Sequence, residues 1–68
     1  MPEEMDYVYE VYREKSFLTA AKKLFVTQPA LSSAIKKAEE KIGAVLFDRS
    51  TVPVQLTDAG KVYIQAIE

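Results

Sequence analysis

The chain has 68 residues, 49% of them hydrophobic, with only two glycines and three prolines, a composition that folds as one small helical domain rather than as a disordered tail. Such a domain buries only about 60% of the surface its unfolded chain exposes, so its core must be efficient. Cysteine and histidine are both absent, which excludes disulfides, thiolate nucleophiles, zinc fingers and any hydrolytic triad built on an imidazole.

The formal net charge is -1 and the pI is near 5.4, unlike the basic footprint of most nucleic-acid binders. The distribution is uneven. Residues 1–15 carry five acids and two bases, residues 16–49 six bases and three acids, and residues 50–68 two acids and one base. A positive middle between acidic ends can face phosphate, with weak non-specific affinity and strong salt sensitivity. No apolar run approaches the roughly 18 residues of a membrane span and no basic-then-apolar leader is visible, so a cytoplasmic protein without a membrane partner is expected.

In chain order, a first helix is predicted from about Glu3 to Glu14, with Met5, Val8, Tyr9 and Tyr12 on its core side and acids in its first turn. Ser16 caps a second helix, about Phe17 to Phe25, burying Leu18, Ala21 and Leu24 and leaving Thr19, Lys22 and Lys23 outward. The chain bends at Val26 and Thr27. A third helix, about Gln28 to Ile42, opens Thr27-Gln28-Pro29: a hydroxyl that can cap, an amide that can read a base edge, and a proline tolerated in a first turn. Leu31, Ile35, Ala38 and Ile42 form its core stripe, with Ala34 at the edge. Pro29, Ser32, Ser33, Lys36 and Lys37 lie opposite. Short side chains at the tip and lysines a turn or two later suit a helix entering the major groove end-on.

Gly43 supplies a left-handed cap. Extended segments beginning at Val45-Leu46-Phe47 and covering Pro53 to Leu56 pair as a small hairpin. Thr57 caps a fourth helix, where Val62, Tyr63, Ile64 and Ile67 offer more apolar surface than one short helix on a small core needs. The helical pattern still runs at Glu68, as expected of a fragment or of a helix covered by a partner. The fold class is therefore mainly α: a winged helix-turn-helix with a three-helix core, a small β-hairpin wing and the start of a linker helix.

Several spaced motifs stand in register: Ser16-Phe17, Ala20-Ala21 and Leu24; Gln28-Pro29-Ala30-Leu31-Ser32; Ile35 with Glu39; Gly43; Leu46-Phe47 with Arg49; Leu56-Thr57 with Ala59-Gly60. From about Met5 to Ile67 the chain resembles the N-terminal DNA-binding domain of the LysR-type transcriptional regulators. The resemblance implies a DNA-binding domain over residues 1–56 and the N-terminal part of a linker and dimerisation helix over 57–68. The family's effector-binding domain, and with it any small-molecule effector, lies outside these residues. Double-stranded DNA is the implied partner, with no cofactor and no metal. Thr27, Gln28, Pro29, Ser32 and Ser33, with Lys36 nearby, would contact bases and backbone, and Thr19 and Arg49 would hold phosphates. Val62, Tyr63, Ile64 and Ile67 would form the homodimer seam, weak in so short a helix.

Three positions depart from the family's pattern. Ser33 stands where many members place an arginine, Val52 where the wing often carries a base, and Ala38 where leucine is usual. The first two weaken DNA contacts, and the third removes core volume. Blander readings remain beside these: Lys36 and Lys37 as a solvated face, Arg49 in a surface ion pair with Asp48 or Glu39, and Thr57 as only a cap. Two rival functions stay open, a protein-binding module whose acidity repels DNA, and a small enzyme. The enzyme would need paired carboxylates in a cleft, whereas Glu39 and Glu40 are expected on an exposed helix flank.

Overall fold

The computed structural model describes residues 3–68. Helix α1 (Glu4–Glu14) starts where the Glu3 amide donates to the Asp6 carboxylate at 2.9 Å, and ends at Lys15 in a left-handed conformation. Ser16 Oγ then accepts the Thr19 amide and opens α2 (Phe17–Leu24). This helix stops one residue earlier than predicted. Phe25 takes φ 58°, and the Phe25 and Val26 amides fold back onto the Lys22 and Ala21 carbonyls, a C-terminal capping pattern that replaces the last helical bonds.

Thr27 caps α3 (Gln28–Ile42) through the Ala30 amide, with Pro29 in the first turn, where a missing N–H costs nothing. Gly43, at φ 81°, closes it as predicted. Strands β1 (Phe47–Asp48) and β2 (Gln55–Leu56) form an antiparallel hairpin, Phe47 opposite Leu56 and Asp48 opposite Gln55. The ladder is shorter than the predicted segments because other groups claim the neighbouring backbone. Glu39 takes the Leu46 amide, the Thr57 hydroxyl takes the Val45 carbonyl, and the Lys15 carbonyl takes the Val54 amide.

Val8, Val11, Ala20, Ala21, Leu31, Ile35, Ala38, Leu46, Phe47 and Ile64 form one buried cluster, edged by Tyr9, Tyr12, Leu24 and Leu56. Several expectations are corrected here. Met5, Leu18 and Ile42, assigned to core faces, are 47%, 53% and 45% exposed. They lie at the outer ends or edge of their stripes, beyond the reach of so small a core. Val11 and Leu46 are buried in their place.

Helix α4 (Asp58–Ile67), capped by Thr57, packs into this cluster. Ile64 is 3% exposed, so it is a core residue rather than free seam, and Tyr63 and Ile67 are partly buried against the core. Of the four seam candidates only Val62, 66% exposed, is mostly free. No helix among the described residues is long and apolar enough to cross a membrane.

Candidate nucleic-acid interface

Because Leu31, Ile35 and Ala38 are fully buried, the opposite side of α3 must face out. Thr27, Gln28, Pro29, Ser33 and Lys36 are all exposed there. The first α3 turn thus presents the Gln28 side-chain amide beside a helix N-terminus capped by Thr27, and Lys36 follows two turns on. Thr27 Oγ1 already accepts the Ala30 amide at 3.2 Å, leaving its hydroxyl hydrogen available. Thr19 is half-buried on α2, with its amide held by Ser16 Oγ at 3.1 Å.

Arg49, at the start of the hairpin loop, is held on three sides. Its Nη1 donates to Ser32 Oγ at 2.8 Å, its Nη2 lies 3.9 Å from Glu39 Oε1, and its guanidinium carbon sits 4.3 Å from the centre of the Phe17 ring. Phe17 is itself set edge-on against buried Phe47, ring centres 6.0 Å apart. The wing is thereby tied to both helices of the helix-turn-helix. Arg49 does not pair with Asp48, whose carboxylate instead accepts the Ser50 hydroxyl and amide. Those two bonds hold the Asp48 carboxyl below its ordinary value, so a negative charge persists at the base of the wing.

Glu39 does not lie on an exposed flank as expected; its side chain is only 12% exposed. Its Oε2 accepts the Leu46 amide at 2.7 Å and the Phe47 amide at 3.4 Å, fixing where the wing leaves α3. Sequence reasoning assigned Phe17 no role at the site and named Glu39 only as an ion-pair partner of Arg49, not as the acceptor for the Leu46 and Phe47 amides. Glu39 carried one signal: an acid in the last turns of a helix opposes the helix dipole and needs another partner. Glu40 alone of the pair remains exposed. With Glu39 turned off the outer surface and neutralised against Arg49, the exposed charges on α2 and α3 are Lys22, Lys23, Lys36 and Lys37, with Glu40 and Lys41 further along α3, where Lys41 pairs with Glu4 at 3.6 Å.

A capped helix pair joined by a tight turn, its second helix half free, and a hairpin wing tied to both define a winged helix-turn-helix. The sequence pattern of the bacterial regulatory helix-turn-helix proteins of the lysR family matches residues 2–61. The chain belongs to that family. It is 46% identical over 63 residues to a probable cat1 operon transcriptional activator of Acinetobacter lwoffii, covering 91% of this chain and 21% of that protein. Among solved structures it matches the BenM DBD/catB site 1 DNA complex at 38% identity and a TM-score of 0.89, covering 93% of this chain and 71% of that one. The CbnR DBD–DNA complex follows at 30% identity and a TM-score of 0.86, with 93% and 72% covered. The chain therefore spans about a fifth of the length of the A. lwoffii relative.

Proposed function

We propose that this chain binds double-stranded DNA sequence-specifically, as the DNA-reading part of a LysR-type transcriptional regulator. The N-terminal half of α3 lies in the major groove and the hairpin wing lies on the adjacent backbone. The observation that carries this reading is the division of α3, with one face fully buried and the other presenting Gln28, Pro29, Ser33 and Lys36. The likeness to domains solved in complexes with DNA supports it. The role is one of binding, without catalysis, and the location is cytoplasmic.

Thr27, Gln28 and Pro29 meet base edges or the backbone at the groove-entering tip, with Ser32, Ser33 and Lys36 behind them and Thr19 and Arg49 towards phosphates. Residues 57–68 begin the linker helix of the longer protein. A homodimer forms through that helix, weakly for these 68 residues, its seam resting on Val62 with the exposed parts of Tyr63 and Ile67. Ile64 is committed to the core.

Selection of duplexes from a random-sequence library, followed by fluorescence anisotropy on the recovered site, tests the reading. An amide contacting adenine on both its donor and acceptor edges contributes roughly 1 to 3 kcal/mol of discrimination, so Gln28→Ala should weaken the selected site by about that much and random DNA little. Equal loss on both would remove Gln28 from base reading, and no enrichment at all would overturn the function.

A further inference from the structure

Ser32 and Ser33 are chemically identical neighbours on α3, yet the fold treats them differently. Ser33 is exposed, and its hydroxyl has no protein partner among the described residues. Ser32 is half-buried and accepts the 2.8 Å hydrogen bond from Arg49 Nη1, a residue 17 positions away.

A guanidinium can only donate, whereas a serine hydroxyl has one hydrogen to give and two lone pairs with which to accept. With Arg49 occupying the accepting side, the Ser32 hydrogen must point elsewhere, and it reaches no protein acceptor among the described residues. The charged donor also polarises the O–H bond and strengthens it as a donor. Arg49 can impose this because it is fixed itself, by the Phe17 ring at 4.3 Å and by Glu39 at 3.9 Å. Glu39 is in turn anchored on the Leu46 amide.

We propose that Arg49 is a positioning residue, which makes Ser32 a directed hydrogen-bond donor towards an acceptor on the duplex, either a phosphate oxygen or a base edge. This rests on the DNA-binding reading above. It separates two jobs that a basic residue at a wing can do, supplying charge to the backbone and setting the direction of a neighbouring hydroxyl.

The test is a pair of double-mutant cycles measured by anisotropy on a duplex selected for the unaltered chain, with a salt series. Ser32→Ala should weaken binding about fivefold, the size of one ordinary net hydrogen bond. In an Arg49→Lys background, which keeps the charge but loses the fork, the same substitution should cost less than about twofold. Ser33→Ala should have the same effect in both backgrounds, and the salt slope should be unchanged by Ser32→Ala. Loss spread evenly over all sequences identifies a phosphate acceptor, and loss confined to one base pair identifies a base edge.

An equal Ser32→Ala effect in both backgrounds would overturn the proposal while leaving DNA binding intact. Failure of the unaltered chain to bind any selected duplex would overturn both. A measurement without DNA keeps the geometry testable if Arg49→Lys unfolds: rotation of the Arg49 guanidinium, followed by nitrogen-15 NMR, should be slow in the unaltered chain and faster in Ser32→Ala. Unchanged rotation would also refute the proposal.

Discussion

Gly60, buried near the start of α4, leaves no room for a β-carbon beside the Leu46 backbone, and Gly60→Ala sets two effects of opposite sign against each other. Alanine in a helix interior is favoured over glycine by about 1 kcal/mol. A β-carbon at Gly60, however, would lie 2.1 Å from Leu46 O, 2.9 Å from Leu56 Cδ2 and 3.1 Å from the Leu46 carbonyl carbon. Ordinary non-bonded contacts need about 3.5 Å, so something must retreat by more than about 1 Å. The Leu56 side chain can rotate away; the Leu46 carbonyl cannot, because it accepts the Thr57 amide at 3.0 Å. Separating them also strains the bond from the Thr57 hydroxyl to the Val45 carbonyl.

Overpacking of this kind costs about 1 to 3 kcal/mol, and each hydrogen bond broken adds about 1 kcal/mol. Against the helix-propensity gain, the net destabilisation is about 2 to 4 kcal/mol. For a domain of this size each kcal/mol lowers the melting temperature by roughly 4 to 8 °C, so calorimetry should show a fall of roughly 8 to 32 °C. Gly43→Ala provides the contrast. Gly43 has φ 81° and nothing within 4 Å of its would-be β-carbon, so its cost is conformational only, about 1 to 2 kcal/mol. An unchanged or raised melting temperature for Gly60→Ala, or a larger loss at Gly43, would refute the steric argument.

Glu39→Ala strips the acceptor from the Leu46 and Phe47 amides and should destabilise the fold by about 1 to 3 kcal/mol in urea titrations; Glu39→Gln, which keeps an acceptor, should lose less. Lys36→Ala should make the slope of log affinity against log salt shallower by about one unit, as expected when one phosphate is no longer neutralised. Val52, 99% exposed in the hairpin loop, should act in the other direction, with Val52→Arg tightening binding most at low salt. Burial, helped by the nearby Glu4 charge, raises the Tyr63 phenol above its ordinary value of 10.0. The neutral phenol therefore favours the fold: this stabilisation is complete below about pH 10 and is lost as pH rises through the folded value. Urea midpoints measured from neutral pH into that alkaline range should fall for the unaltered chain and fall less for Tyr63→Phe.

Residue order alone was enough to place the helix starts to within a residue and to orient α3, because these rest on interactions within three or four residues; the end of α2, set by the left-handed turn at Phe25, was not read. Ser16, Thr27 and Thr57 each accept the amide three positions on, and Gly43 supplies the left-handed stop, so caps read from residue type fall where the structure has them. The stripe Leu31, Ile35, Ala38 is equally local, a matter of helical periodicity. Where each stripe runs out was set by the packed fold, because the extent of a core depends on what neighbouring elements cover; Met5, Leu18 and Ile42 fit their periodicity and are still substantially exposed. Packing also committed Ile64 to the core rather than to a partner, and turned Glu39 inward to hold the wing. The assembly of Arg49 with Ser32, Phe17 and Glu39 joins residues 10 to 32 positions apart in the chain. No local propensity encodes such a meeting; it exists only once the hairpin is laid across the two helices.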